Sequence, residues 1–194
     1  FFVSSPEGSR VPSPRDAMFA LLADSSVYVN AAAARFTLDA LLSVLAPTSE
    51  DAAYLAVDFA LYRRLYGDIG FIRSRWEHFA AAVDSAGCRG PLAYAAYASA
   101  AGLAAELGET ETAARWRRRA GELKEGLNVS GMSLSREEKT LAVVFGVLDA
   151  AGTERTANEL AVGGRPRSTR LAGLEALALA VAGRKDEALA LIDS

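Results

Sequence analysis

The clearest hydrophobic pattern in the chain lies within residues 91–128 and predicts a complete helical hairpin. Apolar residues recur every three or four positions over 92–107, and Gly108 then provides a helix stop. Thr110 can cap a second helix, whose apolar positions over 113–127 keep the same spacing. This segment therefore predicts two antiparallel helices joined by a short turn.

The same spacing predicts helices on both sides of this hairpin. No run of alternating apolar and polar residues bounded by turn signals predicts a strand. Before the hairpin, the sequence predicts a short helix that begins at Arg15 and breaks near 24–26, a helix over 31–45, and a pair over 48–66 and 71–83 with its turn at 67–68. After the hairpin, it predicts a helix from the Ser135 capping box to Gly152 and short helices over 153–162, 168–182 and 185–193. The sequence therefore predicts an all-α fold of about five helix pairs.

The domain organisation follows from length and from the proline distribution. Residues 1–14 contain three of the six prolines, which predicts an extended lead-in. The 194 residues, of which 51% are apolar, are enough for one well-buried core. We therefore expect a single helical-hairpin domain over 1–194.

Two architectures can arrange such hairpins. An open solenoid of the tetratricopeptide kind predicts a near-constant period of about 34 residues, whereas a closed (α/α) toroid alternates inner and outer helices around a funnel. The predicted turn glycines Gly67, Gly108, Gly152 and Gly183 are separated by 41, 44 and 31 residues. This uneven spacing favours a complete or partial (α/α) toroid.

Charge, hydropathy and cysteine content exclude several classes of protein. The net charge of −3 argues against a nucleic-acid partner, because binding to phosphate backbones needs an excess of Lys and Arg. No stretch reaches about 18 uninterrupted apolar residues, so no membrane partner is expected. The single cysteine, Cys88, cannot form an internal disulfide and is compatible with a cytoplasmic location. Because the chain begins with Phe1 rather than Met, we expect a processed, trimmed or partial sequence.

Few residues suggest chemistry by themselves. His78, the only histidine, has no second histidine or cysteine at ligand spacing, so neither a metal nor an organic cofactor is implied. Gly163-Gly164 is not a phosphate-binding loop, since no strand precedes it and no Gly-Lys-Ser/Thr follows. Trp76 and Trp116 lie on apolar stripes and are predicted to belong to the core.

The segment SSPEGSRVPSPRDAMFALLA, with its Arg15-Asp16 pair, resembles the entry into the second helix of glucoamylase-type inverting glycoside hydrolases (glycoside hydrolase family 15). SEDAAYLAVDFALYRRLYGD, AYASAAGLAAELGETETAARWRRRAGELKEGLN and GGRPRSTRLAGLEALALAVAGRKDEALALIDS resemble later helices of the same family in the same order. The resemblance implies a six-hairpin toroid acting on α-glucosidic oligosaccharides or polysaccharides.

The resemblance also implies a substrate site. Arg15 and Asp16 would hydrogen-bond sugar hydroxyls at the mouth of the funnel, and Asp51 matches an Asp that often opens the fourth helix of the family. The residues also allow purely structural roles, with Asp16 favouring the positive end of a helix and Asp51 completing a capping box.

Catalysis is harder to assign. Inversion needs two carboxylates about 6.5–9.5 Å apart. The resemblance places the acid between residues 84 and 91, where Asp84 is the only carboxylate, and places the base after the last residue. The catalytic residues therefore stay unassigned, and hydrolysis is expected only if the missing carboxylates are supplied elsewhere. The alternative is a non-catalytic helical-repeat scaffold that binds a protein partner.

Overall fold

The computed structural model describes residues 13–27, 30–44, 49–129, 134–164, 166 and 168–193, and throughout these residues the only regular element is the α-helix. The predicted all-α class is confirmed. The helices are α1 (Pro14–Val27), α2 (Ala31–Val44), α3 (Ser49–Tyr66), α4 (Ile69–Ser74), α5 (Trp76–Ser85), α6 (Gly90–Leu107), α7 (Thr110–Val129), α8 (Arg136–Val144), α9 (Ala150–Val162), α10 (Thr169–Val181) and α11 (Lys185–Asp193).

Contacts between Cα atoms divide the chain into two compact units. Unit 1 comprises residues 1–88 and 95–120, and unit 2 comprises residues 89–94 and 121–194.

Residues 1–12 of the predicted lead-in lie outside the described residues, while Pro14 is already the first residue of α1. The helix α1 continues to Val27, so the predicted break near 24–26 is wrong.

Helix α3 is the centre of unit 1. Residues 52–59 are eight consecutive buried positions, more than two full turns, so this part of α3 is covered on every side. Contacts with α1, α2, α4 and α5 provide the cover. The predicted cap at Thr48 lies outside the described residues, and the helix begins at Ser49.

The predicted return helix over 71–83 is two helices, because Arg75 leaves helical geometry between α4 and α5. Its backbone N–H donates to Ile72 O at 3.1 Å, which closes α4 with a tighter turn. The Arg75 guanidinium forms two hydrogen bonds with the Asp39 carboxylate of α2. These bonds hold the pKa of Asp39 below its ordinary value. A tertiary contact therefore accompanies the break.

Unit 2 contains helices α8 to α11 in two consecutive pairs. Helix α8 contacts α9 and α10, and α10 contacts α9 and α11. The predicted capping box at the start of α8 is confirmed: the Ser135 side chain accepts from Glu138 N–H, and the Glu138 carboxylate accepts from Ser135 N–H at 2.8 Å. The main apolar cluster consists of Val143, Ala157, Leu160, Ala176, Ala178, Leu179 and Ala188.

One predicted turn glycine is wrong. Helix α8 ends at Val144 and the chain turns at Gly146, which has a φ of +64°, while Gly152 lies in the first turn of α9. Asp149 explains this shift, since it caps α9 by accepting from Gly152 N–H at 2.7 Å. With Gly146, the turn glycines are separated by 41, 38 and 37 residues. The spacing is therefore more even than the sequence predicted, and it no longer favours a toroid over a solenoid.

None of the described helices combines the length and the apolar character that crossing a membrane requires.

Candidate functional site

The structure brings the first turn of α1 to the first turns of α3. The Arg15 guanidinium lies over the ring of Tyr54, 5.9 Å from its centroid. Tyr54 itself is only 2% exposed, so the half-buried Arg15 packs against a buried aromatic ring. A cation over an aromatic face is attracted by the ring quadrupole, which stabilises this contact. The starts of the two helices therefore lie close together.

Asp16 is exposed and takes part in capping α1. Its backbone N–H donates to Ser13 Oγ at 3.2 Å, and Ser13 Oγ donates to Asp16 Oδ2 at 2.7 Å. Ser13 is therefore the capping residue and Asp16 lies in the first turn, where a carboxylate interacts favourably with the helix dipole. The structure assigns Asp16 a helix-end role and leaves its carboxylate accessible to solvent.

Asp51 is half-buried in the first turn of α3, three positions before Tyr54. Residues three apart share a helix face, so Asp51 and Tyr54 lie on the same side of α3. We call Arg15, Asp16, Asp51 and Tyr54 the α1/α3 cluster. It combines the donors of a guanidinium with two carboxylate acceptors, which is suited to ligands that carry several hydroxyl groups.

The connection between α5 and α6 contains Cys88, which is half-buried. Burial and the negative charge of Glu50, in the first turn of α3, raise the pKa of the Cys88 thiol. This connection therefore lies near the start of α3. A raised pKa keeps the thiol protonated, which disfavours a role as a nucleophile.

Asp84, the only carboxylate between residues 84 and 91, lies in the last turn of α5 and has a structural role. Its Oδ1 accepts from Trp116 Nε1 at 2.7 Å, and its Oδ2 accepts from Arg115 Nη2 at 2.7 Å. Trp116 is 1% exposed and contacts the rings of Trp76 and Phe79. Asp84 thus ties the end of α5 to α7, with both of its oxygens engaged.

We expect Asp84→Ala to lower the free energy of unfolding by about 1–3 kcal/mol, because the buried Trp116 N–H loses its acceptor. The matched control is Asp84→Asn, which keeps an oxygen for this hydrogen bond and should lose clearly less. Urea unfolding followed by tryptophan fluorescence measures both variants. Equal losses in the two variants would contradict the assigned role of this hydrogen bond.

Sequence reasoning missed Asp58, in the middle of α3. This residue is 0% exposed, and neither of its carboxyl oxygens has a hydrogen-bond partner. Burial raises the pKa of Asp58 well above its ordinary value. A carboxyl with no exposed surface cannot reach a substrate in this arrangement, so it does not supply the missing acid. The signal in the sequence is one carboxylate inside the otherwise apolar run LAVDFAL.

A second buried carboxylate, Glu175 of α10, is fully paired. Arg136 Nε and Nη2 donate to its two oxygens at 2.5 and 2.8 Å. The same guanidinium donates to the carbonyl oxygens of Gly163 and Gly164 at 2.6 and 2.7 Å. A Cβ added at Gly163 would lie 2.9 Å from the backbone carbonyl oxygen of Glu159 and 3.0 Å from Arg136 Nη1, which explains a glycine there. Arg136 therefore connects α8, the end of α9 and α10.

The other side chains that the sequence analysis considered are His78, Trp76 and Trp116. His78 is exposed on the surface of α5. Within the described residues, no group of three His, Cys, Asp or Glu side chains converges to hold a metal ion. Trp116 belongs to the core as predicted, and Trp76 is half-buried beside it, 5.7 Å between ring centroids.

Comparison with known proteins adds no assignment. No protein-family model matches the chain, and no curated protein matches it significantly.

Proposed function

We propose that this protein binds α-glucosidic saccharides through the α1/α3 cluster, as part of an (α/α) toroid like that of the glucoamylase-type glycoside hydrolases. The observation that carries the proposal is the contact of Arg15 with Tyr54. It brings the start of α1, with Arg15 and Asp16, close to the helix whose first turn contains Asp51. The family resemblance selects these three residues for sugar binding.

The chemistry of the cluster supports this ligand class. Sugar hydroxyls both donate and accept hydrogen bonds, so they need donors and acceptors side by side. Arg15, whose guanidinium lies over the ring of Tyr54, supplies hydrogen-bond donors, and the exposed Asp16 supplies acceptors. Hydrolysis is not part of the proposal, because Asp84 is committed to Trp116 and Arg115, and Asp58 has no exposed surface.

The test is calorimetric titration of the purified chain with maltoheptaose, beside its Asp16→Asn variant. We expect saturable binding by the wild-type protein and at least about tenfold weaker binding by the variant, since a hydrogen bond to a charged group contributes about 1.5–3 kcal/mol. Glu111→Gln is the matched control, because Glu111 is also an exposed carboxylate in the first turn of a helix.

Release of glucose is measured in the same samples. Turnover that Asp16→Asn abolishes would support the sugar site and add hydrolysis to it. Saturable binding that Asp16→Asn and Glu111→Gln leave equally unchanged would contradict the assignment of the site. No binding by the wild-type protein would contradict the function itself.

A non-catalytic scaffold for a protein partner is the second candidate, favoured by the surface of unit 2. Leu189 and Ile192 on α11 are 60% and 67% exposed. Ile192 also lines a groove of about 360 Å³, together with Pro166 and Ala172 among others. Contiguous exposed apolar surface is typical of protein interaction sites. The scaffold becomes the leading proposal if the titration finds no saccharide binding.

A further inference from the structure

Asp58 is the buried ionisable group that the proposed sugar site does not use. It lies near the end of the buried stretch 52–59 of α3, where apolar residues surround it on both sides along the chain. Both of its oxygens lack a hydrogen-bond partner. An ionised carboxylate without a partner is far more costly to bury than a neutral carboxylic acid.

Charged groups on the surrounding helices do not compensate it. None of the ionisable side chains described on α1, α2, α4 and α5 hydrogen-bonds to Asp58, because each pairs with another residue, lies over Tyr54 or is exposed. These side chains are Arg15, Asp16, Arg35, Asp39, Arg73, Glu77, His78 and Asp84. On α3 itself, Tyr62 lies one turn away, but its hydroxyl donates to Asp68 at 3.0 Å.

We propose that Asp58 is a protonation-controlled lock on unit 1, which closes around the neutral carboxylic acid and opens when this residue ionises. On opening, the carboxyl O–H bond breaks, the proton goes to water, and the carboxylate becomes hydrated. The lock does not depend on saccharide binding.

The direction of the pH dependence follows from the raised pKa of Asp58. Below about pH 4, Asp58 is protonated in both the folded and the unfolded chain, so it adds no pH dependence. Above that pH the unfolded chain releases the proton while the folded unit retains it. The unfolding equilibrium constant of unit 1 then rises up to about tenfold for each pH unit. The stability associated with Asp58 is therefore greatest in acid and is lost as pH rises.

Tryptophan fluorescence follows unit 1 specifically, because the chain has two tryptophans, Trp76 and Trp116, and both belong to this unit. Urea unfolding of the full chain is measured at intervals between pH 5 and 8 for the wild type and for Asp58→Asn. The variant keeps the shape of the side chain but does not titrate. All other groups are shared, so the ratio of the two unfolding constants isolates Asp58.

We expect that ratio to rise with pH from pH 5 upward, by up to about tenfold per pH unit, and to level off above the pKa of Asp58 in the folded chain. A ratio that does not change with pH would overturn the proposal. Asp58→Leu provides a second uncharged variant of similar size, in case Asp58→Asn does not fold. In the wild-type chain labelled with ¹³C at the aspartate carboxyls, one carboxyl should lose its proton at a clearly higher pH than the others, and the absence of such a signal would overturn the proposal without any variant.

Discussion

Arg136→Met is expected to lower the free energy of unfolding of unit 2 by about 3–5 kcal/mol, because it leaves the fully buried Glu175 as an unpaired charge. Four hydrogen bonds from one guanidinium are lost together, two to Glu175 and two to the carbonyls of Gly163 and Gly164. Since both tryptophans lie in unit 1, the measurement is far-ultraviolet circular dichroism in urea, combined with hydrogen exchange over residues 136–193.

The control for Arg136→Met is Lys139→Met on the same helix. Lys139 pairs with Glu159 at 2.6 Å, but their side chains are 36% and 48% exposed, so this loss should stay below about 1 kcal/mol. The double variant Arg136→Met/Glu175→Met should recover most of the stability, because replacing both partners of a buried pair by apolar residues is often neutral. A double variant as unstable as Arg136→Met would show that the unpaired charge is not the cause.

Phe59→Ala is expected to lower the free energy of unfolding of unit 1 by about 3–5 kcal/mol, the usual cost of removing a fully buried aromatic ring. Phe59 is 0% exposed on α3. Its ring stacks on Phe71 with 5.6 Å between centroids and lies 4.9 Å from Phe79. Through Phe79 the contacts continue to Trp116, so tryptophan fluorescence in urea measures the loss directly.

Phe36→Ala is the matched control for the cavity at Phe59. Phe36 lies on α2 with 76% of its surface exposed, so its removal should change the stability by no more than about 0.5 kcal/mol. If the two variants lost equal stability, the central position of α3 in unit 1 would be wrong.

Helix positions were largely predictable from the sequence because their signals are local. Apolar spacing and caps act within three or four residues, and the Ser135 capping box and the turn at Gly183 lie where the sequence places them. The errors at Gly152 and at Arg75 have different reasons. At Gly152 the sequence reasoning overlooked a local signal, the cap formed by Asp149. At Arg75 the break accompanies a pairing with Asp39, 36 positions away, which local patterns do not show.

The candidate site was predictable only in part. Arg15, Asp16 and Asp51 were selected by a family resemblance, but only the structure brings Arg15 to Tyr54, which is 39 positions away in the chain. The sequence also allowed Asp16 a structural role at the start of a helix, and its hydrogen bonds with Ser13 confirm that role. Saccharide binding at this cluster stays a prediction.

The sequence by itself determined the all-α class and most helix bounds, because these depend on composition and on neighbours within one helical turn. Only the tertiary structure decided which carboxylates are paired: Asp84 with Trp116, Glu175 with Arg136, and Asp58 with no partner. The pairs join residues 32 and 39 positions apart, and the isolation of Asp58 depends on the helices that cover α3. Such relations follow from the packing of helices, which local patterns do not specify.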